Sequence, residues 1–246
     1  MASNSTTILV YFMLLLAAFL YASVGHGGAS SYIVLLTLLG FLPDQIKPTA
    51  LILNIGVSLI SFLSFNKESY FPRQLFFSLI IFSIPATFVG SMIHVDIKLY
   101  QKILGIILLF PIFRLFNIFK YNQTKVINRK AWMAPLLGLS IGFVSGLIGI
   151  GGGIILSPVL LLLGWTDIKQ TATISALFIF LNSISGLIGL SFTAFSLPPN
   201  FEYMLPMTLL GGILGSYFGA KKFNFTTTKL TLGMVLTIAS IKFIFQ

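Results

Sequence analysis

Two short stretches of this sequence combine residue types that can hold an anion. Gly149-Ile150-Gly151-Gly152-Gly153 runs on into Ile154-Ile155-Leu156-Ser157-Pro158, and Gly25-His26-Gly27-Gly28-Ala29 runs on into Ser30 and Ser31. Glycine lets the backbone turn sharply and lets another group approach closely. Each glycine costs a helix interior about 1 kcal/mol relative to alanine, so both clusters predict breaks between helices. A half-helix restarting after Gly28 or Gly153 turns free N–H groups and the positive end of its dipole towards the break, which suits an anion. No Asp or Glu lies near either break, which removes the usual ligands of a cation.

Side chains beside the breaks extend this reading. His26, one of two histidines, carries an imidazole whose ordinary pKa near 6.5 suits proton coupling or anion pairing. Its counterpart in the other break is Gly151, so any proton chemistry belongs to the first break. Ser30, Ser31, Thr49, Asn54, Ser157, Thr171, Thr173, Ser175, Asn182 and Ser185 lie within or next to apolar segments. A single Ser or Thr there can bond back to a carbonyl one turn earlier. The amides of Asn54 and Asn182 need partners in a dry interior. The candidate substrate-binding set is Gly25, His26, Gly27, Gly28, Thr49, Asn54, Gly149, Gly151, Gly152, Gly153, Ser157, Thr171 and Asn182. His94, beside Asp96 and Lys98, reads as a loop residue.

Other chemistries find little support. There is no Cys, hence no disulfide and no thiolate metal site. The sequence has no Walker loop, no cluster of metal ligands and no nucleophile-base pairing, so neither enzyme, metal nor cofactor is expected. Scattered glycines such as Gly186, Gly189 and Gly211 read as close-packing positions between helices.

The elements that position these residues are membrane segments. The chain is 57% hydrophobic and 8% charged, with a mean hydropathy of +1.00; soluble domains carry about 25% charged residues. Apolar segments occupy 8–24, 30–42, 49–65, 75–93 and 99–119, then 132–148, 154–163, 171–192, 203–220 and 230–245. Several reach the length of about 20 residues that a spanning helix needs; the second of each set is short. Pro43 to Pro48 and Gly164 to Lys169 read as turns. The N-terminal stretch has no basic residue, unlike a cleaved signal peptide, so the first segment reads as retained. The net charge of +10 sits between apolar segments, which fits basic cytoplasmic loops rather than nucleic-acid binding.

The two sets correspond in order. Gly28 matches Gly153, Gly40 matches Gly164, Ile46-Lys47 matches Ile168-Lys169, Gly90-Ser91 matches Gly215-Ser216, and Gly105 and Arg114 match Gly233 and Lys242, at a nearly constant offset. Arg114 and Lys242, near segment ends, read as snorkelling to the interface. The fold expected is an all-α polytopic membrane protein of two inverted repeats, each with about five membrane-inserted helical segments and a glycine-broken short helix. The first repeat covers 1–119, a basic cytoplasmic connector 120–131, and the second repeat 132–246. With every segment crossing, Lys67, Arg73, Arg114, Lys120, Lys125, Arg129, Lys130, Lys169, Lys221, Lys222 and Lys229 share one side. Lys47, Lys98, Lys102 and Lys242 share the other. The richer side is cytoplasmic, which places both termini outside.

Gly146-Leu147-Ile148-Gly149-Ile150-Gly151-Gly152-Gly153, with Ser157-Pro158-Val159-Leu160 and Gly164, resembles the sulfite exporter family, TauE/SafE. So does the fainter copy from Gly25 to Gly40, although Ile33 stands where a proline is usual and the glycine run ends at Ala29. The resemblance covers nearly the whole chain. It implies a permease of a bacterial inner membrane for small sulfur-containing anions: sulfite, thiosulfate or sulfonates. The expected function is secondary transport by alternating access, with the lipid bilayer and the anion as partners. A passive anion channel and a non-transporting membrane subunit are the rival readings.

Overall fold

The computed structural model describes residues 4–93, 130–193 and 195–223, with Thr227, Leu230, Met234 and Thr237 beyond them. The segment expected at 99–119, residues 120–129 of the basic connector and most of the last segment lie outside these residues. His94, Arg114 and Lys242 lie there too.

The described residues form helices and no strands. They are α1 (Asn4–Ala22), α2 (Ala29–Leu38), α3 (Pro43–Phe65), α4 (Arg73–Met92), α5 (Met133–Ile148), α6 (Gly153–Leu162), α7 (Ile168–Leu190) and α8 (Phe201–Lys221). Asp44–Phe65, Arg73–Met92 and Ile168–Leu190 are long and apolar enough to cross a membrane, and Leu9–Ala22, Met133–Ile148 and Gly153–Leu162 are shorter apolar helices. Large apolar side chains such as Phe12, Phe77, Ile81, Leu136 and Leu210 are exposed on the outside, as a lipid-facing surface requires.

One expected turn is helical. Pro43 to Pro48 forms the start of α3. Pro43 occupies the first turn, where a missing N–H costs nothing, and Gln45 Oε1 accepts from Leu42 N at 3.3 Å. In the matching stretch α7 starts at Ile168: Asp167 Oδ1 accepts from Gln170 N at 2.8 Å, and Gln170 Oε1 accepts from Asp167 N at 3.2 Å. This capping box satisfies two amides that the helix leaves free.

Side-chain contacts fix the direction of each helix. Gly211, Gly215 and Gly219 of α8 lie against the Leu15, Phe19 and Ser23 carbonyls, so α8 runs parallel to α1. Gly138, Gly142 and Gly146 of α5 lie against the Leu79, Ser83 and Thr87 carbonyls, so α5 runs parallel to α4. A Cβ at any of these glycines would strike the neighbouring backbone. Such small-residue rows let helices approach where no solvent drives them together. Gly56 beside Leu209, and Ser64 donating to Ser216 Oγ at 3.1 Å, set α3 parallel to α8. Ser83 donating to Asn182 and Ser185 donating to the Ile84 carbonyl set α7 parallel to α4. Asn54 meets Ser183, whereas Phe65 packs with Ala172; α3 and α7 are therefore antiparallel.

Two parallel trios result, α1-α3-α8 and α4-α5-α7, meeting where α3 crosses α7. Two apolar cores hold them, the first reaching across to Ile148 of α5 and to Ile150 and Ile154 at the second break. Leu14, Ala18, Leu36, Leu53 and Val57 belong to one, joined by Met204 of α8. Leu79, Ile141, Leu156, Leu160 and Phe178 belong to the other. The trios are not the two stretches of sequence. α4 packs on α5 and α7, and α8 packs on α1 and α3.

Candidate functional site

The glycine breaks interrupt helices for two separate physical reasons. Gly28 (φ 96°) and Gly152 (φ 80°) cap α2 and α6 in the left-handed region, which side chains other than glycine avoid. Gly27 and Gly153 have ordinary φ, but a Cβ would strike Asn54 at the first and Ile179 at the second. Conformation demands glycine at one pair and space demands it at the other.

Both half-helices start near mid-height. Ala29 N donates to Asn54 Oδ1 at 3.2 Å, and Asn54 lies near the middle of α3. A short connection joins α2 to the start of α3, so α2 runs from mid-height to that end of the molecule. Gly151 lies against Asn54 Nδ2 and Ser183, and α6 runs from there towards the start of α7 at the opposite end. Two helix N-termini of opposite direction therefore meet around Asn54. Neither has a side-chain cap of its own. Gly153 N and Ile154 N, the first amides of α6, have no acceptor among the described residues.

Asn54 ties the two breaks together. Its Nδ2 donates to Ser183 Oγ at 2.9 Å and lies 3.4 Å from the Ile150 carbonyl. His26 makes the second tie. Its Nε2 is 2.7 Å from Ser157 Oγ on α6, which is 2.7 Å from Ser175 Oγ on α7. His26 is 1% exposed, yet its Nδ1 has no hydrogen-bond partner among the described residues. Such an unpaired buried atom carries a desolvation cost that a bound group would relieve. Tyr21 and Tyr32 hold the first break: Ser30 Oγ donates to Tyr21 Oη, and Tyr32 Oη donates to the Gly27 carbonyl, both at 2.8 Å.

The expected site residues divide. Gly25, His26, Gly27, Gly28, Asn54, Gly149, Gly151, Gly152, Gly153 and Ser157 come together. Gly25 and Gly149 mark the outer edges, against Ala172 and Lys47. Thr171 does not join them. Its hydroxyl donates to the Asp167 carbonyl at 2.6 Å and lies 2.7 Å from Thr166 Oγ1, in the first turn of α7. Asn182 faces α4 instead: its Oδ1 accepts from Ser83 and Thr87 at 2.9 Å each. Thr49 is buried, with no partner for its hydroxyl among the described residues. Ser183, Tyr21 and Tyr32 were not singled out by sequence. Ser183 adjoins Asn182 in the chain, and spacing alone does not say which of two neighbours faces the breaks. Gly189 and Gly211 are close-packed as expected, whereas a Cβ at Gly186 would meet nothing nearer than 3.5 Å.

Residues 10–243 match the family described as sulfite exporter TauE/SafE. The chain belongs to that family. Over 238 residues, 95% of each chain, this TauE/SafE member is 32% identical to a probable membrane transporter protein, y4hK, of Sinorhizobium fredii. Over 97 residues, 39% of this chain and 35% of the relative, it is 34% identical to a probable membrane transporter protein, MJ0441, of Methanocaldococcus jannaschii. No solved structure gives a significant match. The TauE/SafE chain is thus a membrane transport protein and not an enzyme.

Proposed function

We propose that the protein is a secondary transporter of small anions, of the sulfur oxyanion or organosulfonate class, working by alternating access. One observation carries this reading: two half-helix N-termini of opposite direction meet at mid-height on one buried asparagine, with no carboxylate beside them among the described residues. Backbone N–H groups there present partial positive charge without the cost of burying a full one. Gly27, Gly28, Gly151, Gly152 and Gly153 offer main-chain donors; His26, Asn54 and Ser157 offer side-chain contacts, with Ser175 and Ser183 behind them. Thr171 and Asn182 are assigned to helix packing. The sulfur-containing cargo follows from the family description.

The corresponding packing partners and reversed helix directions support an inverted repeat, with 1–119 and 132–246 as its units. The moving bodies proposed are the trios α1-α3-α8 and α4-α5-α7 rather than the two stretches of sequence. The helix directions gather Lys67, Arg73, Lys130, Lys169, Lys221 and Lys222 at one end, with Lys47 at the other. By the positive-inside rule the first end is cytoplasmic, which puts the N-terminus outside a bacterial inner membrane.

The test is uptake of labelled sulfite, thiosulfate and methanesulfonate into proteoliposomes, with and without a pH gradient. Saturable flux with counterflow supports the carrier. Absence of flux for all three removes the cargo assignment, and non-saturating flux without counterflow removes alternating access.

A further inference from the structure

An anion in a low-dielectric interior needs more than amide dipoles, because an uncompensated buried charge costs several kcal/mol. Among the described residues, none around Asn54 is a permanent cation. Lys47 reaches a break: a Cβ added at Gly149 would lie 2.6 Å from Lys47 Cγ. Lys47 Nζ donates to the Ser91 carbonyl at the C-terminal end of α4, 3.3 Å away. It has no carboxylate partner among the described residues. Lys47 and Asn54 are about two turns apart on α3, on one face and about 10 Å apart along the axis. The second break runs along that face, with Gly149 on Lys47, and Gly151 and the Ile150 carbonyl on Asn54. The Lys47 side chain therefore lies along the second break, between that end of the molecule and the central amides.

We propose that Lys47 is an anion ligand at the mouth of the central site, on the side where α3 begins. It rests on the Ser91 carbonyl and turns to the anion as it passes between that mouth and Asn54. The inference rests on the anion-transport reading. Lys169 holds the corresponding post at the opposite end, donating to the Ala220 carbonyl at 3.1 Å, but it is exposed. A helix C-terminus attracts a lysine whatever else the lysine does, so the test must separate anion binding from capping.

The absence of cysteine provides that test. A Lys47→Cys variant can be alkylated at that one position, with 2-bromoethylamine to restore a primary amine or with iodoacetamide to leave a neutral side chain. Uptake of divalent thiosulfate and monovalent methanesulfonate is measured in proteoliposomes beside the wild type. The variant is expected to raise the thiosulfate KM about tenfold, as loss of a desolvated charge contact does, and the methanesulfonate KM clearly less. Aminoethylation restores both values and carbamidomethylation restores neither. Lys47→Gln carries the same expectation without alkylation, should the cysteine variant not fold. Unchanged KM values overturn the proposal. So does an equal rise for both anions accompanied by a fall in melting temperature, the signature of a cap alone. A wild type that moves neither anion overturns the transport reading and this inference with it. Wild-type flux with unaffected variants overturns this inference alone.

Discussion

Two asparagines that look alike in sequence do different work. Asn54 serves an amide of one half-helix, a carbonyl of the other break and Ser183 of α7. Asn182 serves two hydroxyls of α4. Replacing either by Ala strands buried groups, at about 1–3 kcal/mol each, so both variants should melt at lower temperature in detergent. Only Asn54→Ala should also abolish saturable anion uptake, while Asn182→Ala keeps its KM. His26→Gln keeps a group that can bond to Ser157 but removes the ring nitrogens that could carry a proton. Downhill flux is expected to survive that change, and accumulation driven by an imposed pH gradient to vanish. Unchanged accumulation would dismiss a proton role for the imidazole. The His26–Ser157 contact spans residues 131 apart in sequence; the repeat led to the expectation that the two breaks share one site, but no local spacing announces the side-chain contacts that join them.

At the level of single helices the sequence was most legible where backbone geometry leaves one choice. The start of α2 after Gly28 was read correctly, and that of α6 to within one residue, because the left-handed caps at Gly28 and Gly152 tolerate little else. Gly152→Ala places a Cβ at φ 80° and 2.9 Å from the Phe178 ring. The half-helix start should distort and uptake should fall at least tenfold, roughly the effect of a misplaced binding group. Gly186→Ala, with ordinary contacts and room for a methyl group, should leave uptake and melting temperature near wild type. Parallel flux assays on the two variants check the contrast. The start of α3 was misread because Pro43 and Pro48 signal a turn as readily as a helix beginning. What decided it was the fit of that turn to its surroundings: Ile46, Thr49 and Ala50 are buried there, and Lys47 ties it to α4.

For the molecule as a whole, the two trios are the proposed moving bodies, each with closely spaced backbones along its glycine row. Disulfide trapping can test this. Ser64 and Ser216 lie 3.1 Å apart within one trio, between α3 and α8. Ser69 and Thr173 lie 2.8 Å apart, between the loop after α3 and α7 of the other trio. In this cysteine-free chain, oxidising the Ser69→Cys/Thr173→Cys pair should stop uptake until a reductant is added. Oxidising the Ser64→Cys/Ser216→Cys pair should leave uptake largely intact. Equal inhibition by both would mean that the trios do not move as units.

The placement of α4 has a further consequence for how the protein is made. This helix leaves the ribosome well before α5 and α7, on which it packs, are translated. Until those helices arrive, Ser83 and Thr87 lack Asn182, and the α4 backbone lacks Gly138, Gly142 and Gly146. The first repeat made alone would therefore lack these partners of α4. Two separately encoded repeats could complete each other by trading α4 for α8, as partners in a swapped dimer do.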